Sequence, residues 1–86
     1  MAGKNITVRY FASIREAVGQ DSEAFTTQAA TVGALRQELI ARGAPWAECL
    51  AEGRAVRMAV NQLMARTDAP LAEGAEVAFF PPVTGG

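Results

Sequence analysis

The sequence predicts an α+β fold in which one main helix packs across a mixed sheet of four or five strands. Strand-like alternation of apolar and polar residues occurs near both ends of the chain, and one clear apolar stripe of helical spacing lies between them. Glycine and proline interrupt these patterns at short intervals, as in a small domain with tight connections. With 86 residues the chain forms one domain, because a chain of this size buries only about 60–70% of its unfolded surface in one modest core.

The first strand is predicted over residues 6–11, because Ile6, Val8 and Tyr10 alternate with Thr7 and Arg9. This alternation places the two sets of side chains on opposite faces of the sheet. The elements that follow are a short helix ending at a glycine and a second strand that forms a hairpin with the first, over residues 13–18 and 22–27.

The main helix is predicted over residues 32–42, with Thr31 as its N-cap. Its apolar stripe has the spacing i, i+3, i+7 and consists of Val32, Leu35 and Leu39. Glu38 and Arg42 lie one helical turn apart in the favourable order, which predicts an ion pair between them. A glycine and a proline, Gly43 and Pro45, then end the helix.

The second half of the chain supplies the remaining strands. A strand is predicted over residues 56–60 and a last one over residues 76–80, where Pro81 and Pro82 stop it because proline cannot donate to a ladder. A short helix over residues 46–50 and a short strand over residues 62–65 complete the order ββαβ(β)β. Hairpins at both ends and one helical crossover are typical of the ubiquitin-like β-grasp. We therefore expect a β-grasp domain over residues 1–80 and a flexible tail over residues 81–86.

The composition excludes most side-chain chemistry. Without histidine, the chain cannot form a Ser-His pair or a His-ligated metal site, and its single cysteine, Cys49, allows no internal disulfide. The net charge of −1 does not indicate the basic surface that binds nucleic acid. No apolar run is long enough for a membrane span, and none has the pattern of a leader peptide. We expect a cytoplasmic protein with no nucleic-acid or membrane partner. No phosphate-binding glycine loop occurs, so we expect that the chain binds no cofactor and that a partner binds any ATP used.

The C-terminal segment Pro81-Pro82-Val83-Thr84-Gly85-Gly86 is the part of the sequence suited to chemistry. Two prolines favour an extended tail, which can reach about 20 Å from the domain. Gly85 and Gly86 have no Cβ atoms, so a narrow channel can admit them. The group delivered to the end of that channel is the α-carboxylate of Gly86, which becomes an electrophile once ATP converts it to an acyl-adenylate. A frayed terminus without function is the plain alternative for any terminal Gly-Gly.

The chain resembles the small subunits of molybdopterin synthase, a family of ubiquitin-like sulfur carriers. The tail together with the two phenylalanines before it is the most specific part of this resemblance. Further matching segments occur in order along essentially the whole chain, namely residues 10–19, 32–36, 60–62 and 71–77. Met1 to Lys4 lie ahead of the expected start of the family pattern, and residues 64 and 65 fall in a segment expected to vary.

The resemblance implies a cycle in which an adenylyltransferase activates the Gly86 carboxylate with ATP. A sulfur donor, such as a cysteine desulfurase or a rhodanese-type protein, then converts it to a thiocarboxylate. The tail residues Pro81, Pro82, Val83, Thr84 and Gly85 insert into the large subunit of molybdopterin synthase, where the sulfur attacks cyclic pyranopterin monophosphate. The resemblance also implies an assembly of two small and two large subunits in which the large subunit supplies the catalytic side chains.

Three side chains are candidates for the partner interface. Phe79 and Phe80 are neighbours on a strand and point to opposite faces, so Phe79 is assigned to the core and Phe80 to an interface beside the tail. Met64 and Arg15 are weaker candidates that depend partly on the resemblance, and Arg15 alone would be read as a solvated charge. Cys49 is predicted to pack as a small apolar residue rather than to relay sulfur.

Other functions use the same tail. A carrier of sulfur for another product, such as thiazole, would share Gly85 and Gly86 but less of the approach to them. A ubiquitin-like modifier conjugated through Gly86 to lysines needs the same activation chemistry. The remaining alternative is a ubiquitin-like binding module whose tail is inert.

Overall fold

The computed structural model describes residues 3–51 and 53–82. Its elements in chain order are β1 (Lys4–Tyr10), α1 (Ala12–Val18), β2 (Ser22–Thr27), α2 (Val32–Ile40), α3 (Trp46–Cys49), β3 (Arg57–Val60), β4 (Leu63–Ala65) and β5 (Glu76–Phe80). Within the described residues, no helix is both long and apolar enough to cross a membrane.

The five strands form one mixed sheet in the order β2-β1-β5-β3-β4. The two central strands, β1 and β5, are parallel, whereas the other neighbours are antiparallel. Each end of the sheet is therefore a hairpin of consecutive strands. The helix α1 lies within the first hairpin, between β1 and β2, whereas α2 and α3 belong to the connection that joins the two hairpins. This is the β-grasp arrangement predicted from the element order, with five strands rather than four.

The hydrophobic core lies between one face of the sheet and α2. Ile6, Val8 and Tyr10 point to this face, as their alternation predicts, and Val77 and Phe79 extend it on β5. The helical stripe Val32, Leu35 and Leu39 is fully buried against it. The opposite face of the sheet is here called the open face. It carries the residues that alternate with these core residues, among them Arg9 on β1 and Ala78 and Phe80 on β5.

The main helix ends two residues earlier than predicted, and its predicted ion pair is absent as a result. Ala41 is the C-cap of α2, so Arg42 lies beyond the helix and no longer stacks one turn after Glu38. Glu38 instead accepts hydrogen bonds from the Thr27 hydroxyl and the Gln28 amide. The prediction of a Glu38–Arg42 pair was wrong because it assumed two more residues of regular helix.

Arg42 belongs to a polar cluster at the edge of the core. Its guanidinium is 3.1 Å from a Glu23 carboxylate oxygen and lies 3.9 Å above the centre of the Trp46 ring. The Tyr10 hydroxyl donates to the same Glu23 oxygen at 2.6 Å and accepts from the Trp46 indole at 3.2 Å. Burial, and then the hydrogen bond to Glu23, raise the pKa of Tyr10 above its usual value. The cluster ties β1 and β2 to the segment that follows α2.

Arg36 is a buried charge that the sequence analysis did not identify. Only 6% of its surface is exposed, and it sits on α2 beside the apolar stripe. Its guanidinium donates to three backbone oxygens, those of Leu50, Ala51 and Arg54, at 2.7, 2.7 and 3.2 Å. These bonds hold the irregular segment after α3 against the main helix.

The two ends of β1 lie at opposite ends of the sheet along the strand direction. At its first residue, the Lys4 ammonium donates to the Ala29 carbonyl oxygen at 3.0 Å. At its last residue, Tyr10 pairs with Phe79 near the end of the parallel strand β5. A strand of seven residues separates these ends by about 20 Å, since each residue rises about 3.3 Å.

Candidate functional site

The root of the C-terminal tail leaves the sheet from its central strand. Phe79 and Phe80, at the end of β5, pair with Tyr10 on one side and with Arg57 on the other. The chain continues through Pro81 and Pro82, which end the sheet ladder because proline has no amide hydrogen. The predicted reactive residue Gly86 and the tail residues Val83, Thr84 and Gly85 lie outside the described residues, so their roles remain predictions.

A cavity of about 600 Å³ opens on the open face beside this root. Its floor is formed by Ala59 and Ala78, which are directly paired across β3 and β5. Two methyl groups facing each other leave a hollow where larger side chains would fill the surface. Pro81 and Pro82 line the same cavity, so the tail begins at its rim.

Two aromatic rings border the cavity. Phe11, which is 37% exposed, meets Phe80 edge to face with ring centres 6.4 Å apart. The Arg9 guanidinium lies 5.1 Å from the centre of the Phe11 ring and pairs with Glu76 at 3.1 Å. The site is thus an apolar surface with one ion pair at its margin, which is the composition of a protein-binding patch rather than of a catalytic pocket.

The structure brings two of the three predicted interface residues onto one face. Phe80 points outward and is half-buried, while Phe79 is fully buried, as the alternation of the strand predicted. Met64 is 63% exposed and pairs with Ala59, so its side chain shares the open face with Phe80. Arg15 is an exposed residue of α1 and does not line the cavity. The interface role of all three residues stays a prediction.

Phe11 also belongs to this face, although it was not predicted there. The signal was present, because the alternation of Thr7 and Arg9 places Phe11 on the same side of the chain. Gln62 lines the cavity from the turn between β3 and β4 and was not predicted either. A polar residue in a short turn carries no apolar pattern that would have indicated it.

A second cavity, of about 380 Å³, lies under α1 on the other side of the tail root. Pro81 lines both cavities, and Cys49 lines this one together with Ile14 and Arg54. Cys49 is half-buried against the core, and burial raises the pKa of its thiol. A thiol held in its protonated form is a weak nucleophile, so the packing role predicted for Cys49 agrees with its surroundings.

Residues 3–51 and 53–82 contain no group of three or more carboxylate, thiol or imidazole side chains arranged to hold a metal ion. Every buried side-chain nitrogen or oxygen that the structure describes has a hydrogen-bond partner. This part of the chain therefore holds an apolar cavity at the root of the tail and no metal-binding cluster.

Comparisons with known proteins agree with this description. The family model of the ThiS family matches residues 8–86. The molybdopterin synthase sulfur carrier subunit of Escherichia coli is 48% identical over 94% of this chain and 99% of its own length. The protein of the same name from Haemophilus influenzae is 38% identical with the same coverage.

Solved structures share the fold. The solution structure of a Haloferax volcanii protein matches with a TM-score of 0.79 and 33% sequence identity, and the match covers 96% of this chain and 87% of that protein's chain. Small archaeal modifier protein 1 of Haloferax volcanii has a TM-score of 0.77 and 25% identity, covering 94% and 100%. A third structure is the complex of subunits 1 and 2 of molybdopterin-converting factor from Helicobacter pylori. Its matching chain has a TM-score of 0.61 and 26% identity, covering 95% and 99%.

Proposed function

The chain belongs to the ThiS family, and we propose that it is the sulfur carrier subunit of a molybdopterin synthase, acting in molybdenum cofactor biosynthesis. The observation that carries the proposal is the position of the tail root. A terminal Gly-Gly segment follows two prolines that line an apolar cavity on the open face. A partner that covers this face is thereby placed to receive the tail.

The chemistry of the carrier takes place at the Gly86 carboxylate. An oxygen of this carboxylate attacks the α-phosphate of ATP on an adenylyltransferase, and pyrophosphate leaves. The outer sulfur of a persulfide on a donor protein then displaces AMP to form an acyl disulfide. A thiol cleaves its S–S bond, which leaves a thiocarboxylate at Gly86 and a disulfide between that thiol and the donor cysteine. The carrier binds no cofactor itself, and ATP stays with the activating partner. The thiocarboxylate then delivers its sulfur to cyclic pyranopterin monophosphate, and two carriers supply the two sulfurs of the dithiolene.

The open face is the proposed docking surface for the large subunit. Its exposed side chains Phe11 and Met64 and the half-buried, outward-pointing Phe80 offer the aromatic and methionine contacts that are enriched at protein interfaces. The Helicobacter pylori complex of subunits 1 and 2 supports a partner of this kind. In the proposed assembly of two small and two large subunits, the large subunit supplies the catalytic groups that this sequence lacks.

Intact-mass analysis tests the carrier chemistry. The full chain is incubated with the Escherichia coli adenylyltransferase of this pathway, ATP and a sulfur donor. We expect a mass increase equal to the difference between sulfur and oxygen, with no increase when ATP is omitted. A chain lacking Gly86 should fold normally yet support no synthesis of molybdopterin. An unchanged mass for the full chain, or normal synthesis by the shortened chain, would contradict the proposal.

Two neighbouring substitutions on β4 test the docking surface. Met64 lies on the open face, whereas Leu63 is 73% exposed and points to the other face of the same strand. Met64→Ala is expected to weaken binding to the large subunit by about tenfold or more, and Leu63→Ala to leave it within about twofold. Isothermal titration calorimetry measures both. Equal effects of the two substitutions would argue against docking through the open face.

A second candidate function is protein modification through Gly86. The structural similarity to small archaeal modifier protein 1 favours it, because conjugation begins with the same activated carboxylate. The two functions separate in the same reaction mixture when the sulfur donor is replaced by a protein fraction. Isopeptide-linked products recovered by mass spectrometry would support modification, and their absence together with thiocarboxylate formation would support the carrier role alone.

A further inference from the structure

The turn between β3 and β4 consists of two residues that both have positive φ angles. Asn61 has φ of +51° and Gln62 has φ of +72°, and Val60 pairs with Leu63 across them. Two positive φ angles in a two-residue hairpin connection are the requirement of a type I′ turn, in which the sequence Asn-Gly is strongly preferred. A glutamine in this conformation is uncommon and costs conformational energy that glycine would not.

The fold explains Asn61 but does not explain Gln62. The Asn61 side-chain oxygen accepts from the Glu76 amide at 3.0 Å, and the Asn61 amide donates to the Glu76 carbonyl at 2.8 Å. These bonds tie the turn to β5. The Gln62 side chain is exposed, and none of the hydrogen bonds found among the described residues uses its carboxamide. Its cost is therefore not offset within this part of the chain.

Gln62 lies at the margin of the open-face cavity, beside the Arg9–Glu76 ion pair. The methyl groups of Ala59 and Ala78 form the floor of this cavity, and they have no hydrogen-bonding atoms that could orient a bound partner. A carboxamide at the margin offers both a donor and an acceptor in one group. A polar group of this kind fixes the orientation of a partner whose main contacts are apolar.

We propose that Gln62 is a specificity-determining residue of the open face, and that its carboxamide hydrogen-bonds to the large subunit. The proposal rests on the proposed function, because the large subunit is the occupant named for this face. Continuity with the tail supports that occupant, since Pro82 and Gln62 line the same cavity and a partner that receives the tail covers both. The left-handed backbone is retained because the side chain it carries is used in binding.

The test is a substitution that is expected to stabilise the free chain and to weaken its binding to the large subunit. Gln62→Gly removes the carboxamide and relieves the backbone, so the free chain is expected to melt a few degrees higher. Its dissociation constant for the Escherichia coli large subunit is expected to rise about tenfold, which is the value of one interfacial hydrogen bond. Calorimetry of the full chain, alone and with that subunit, gives both quantities.

Ala12 supplies a matched control. It has φ of +53° and lines the same cavity, but its side chain cannot form a hydrogen bond. Ala12→Gly should also raise the melting temperature, which controls for relief of the backbone. Gln20→Ala, at an exposed glutamine that does not line the cavity, should leave the dissociation constant within about twofold. If Gln62→Gly binds as tightly as the wild-type chain, the role of Gln62 is overturned while the proposed function stands. If the wild-type chain does not bind the subunit, both are overturned.

Discussion

Replacing Arg36 with methionine tests whether its guanidinium holds the segment after α3. The substitution removes hydrogen bonds to the carbonyl oxygens of Leu50, Ala51 and Arg54, while methionine retains the apolar length of the arginine stem. The Leu50 side chain is fully buried, and Arg36 itself is 6% exposed, so water does not readily replace the lost donor there. An unsatisfied buried group costs about 1–3 kcal/mol.

The other two acceptors contribute less to the expected loss. Ala51 is half-buried and Arg54 is exposed, so their carbonyl oxygens can be hydrated when the guanidinium is absent. Removing a buried charge also returns part of its desolvation cost. We therefore expect Arg36→Met to lower the free energy of unfolding by about 2–3 kcal/mol. For a domain of this size that corresponds to a fall in melting temperature of about 10–20 °C.

Urea unfolding followed by tryptophan fluorescence measures this loss. Trp46 is the single tryptophan of the sequence and lies in α3, next to the segment that Arg36 holds. Arg66→Met is the control, because Arg66 is exposed and its removal should change the free energy by no more than about 0.5 kcal/mol. A loss for Arg36→Met no larger than that of the control would refute the view that these three hydrogen bonds stabilise the fold.

Three further outcomes follow from local contacts. Gly33→Ala should lower the midpoint of urea unfolding, because the new Cβ would lie 2.9 Å from the Thr67 carbonyl oxygen. This clash outweighs the helix propensity of alanine, which exceeds that of glycine by about 1 kcal/mol; a higher midpoint would contradict this. Burial raises the pKa of Tyr10 in the folded chain above its value in the unfolded chain, so the protonated phenol stabilises the fold. This contribution is complete below about pH 10 and is lost as the pH rises further. The free energy of unfolding should therefore fall more steeply above pH 10 in the wild-type chain than in Tyr10→Phe, and parallel curves would oppose the assignment. The Cys49 thiol, whose pKa is raised by burial, should react with iodoacetamide at pH 8 at least about tenfold more slowly than free cysteine; equal rates would mean that it is accessible.

The strands were the most predictable part of the fold. The bounds of β2 and β5 agree with the prediction to the residue, although β2 is only weakly patterned; for β5 the two prolines mark the end. The β-grasp order also followed from the sequence, since hairpins at both ends leave few ways to connect four or five strands. The predicted end of α2 lies two residues beyond the observed one, because no local pattern in the sequence marks where the last helical turn gives way to the C-cap.

Long-range contacts were not predictable from local patterns. Arg36 falls on the apolar side of α2, yet a charged residue is assigned to the surface unless buried acceptors are known to face it. Those acceptors lie more than a dozen residues further along the chain. The contact between Tyr10 and Trp46 spans 36 positions. Of the site, the sequence indicated Phe80 and the tail, but the cavity between Phe11 and Gln62 exists only once β1, β3 and β5 are side by side.

The direction of β1 has a practical consequence for measuring these interactions. Lys4 is the single lysine of the sequence and lies at the end of β1 that is farthest from the tail root. Coupling of the Lys4 ammonium to an amine-reactive sensor surface would therefore attach the chain at that end. The immobilised layer would present Phe80, Pro81 and Pro82 toward the solution, so that partners in flow meet the proposed docking surface without any engineered tag.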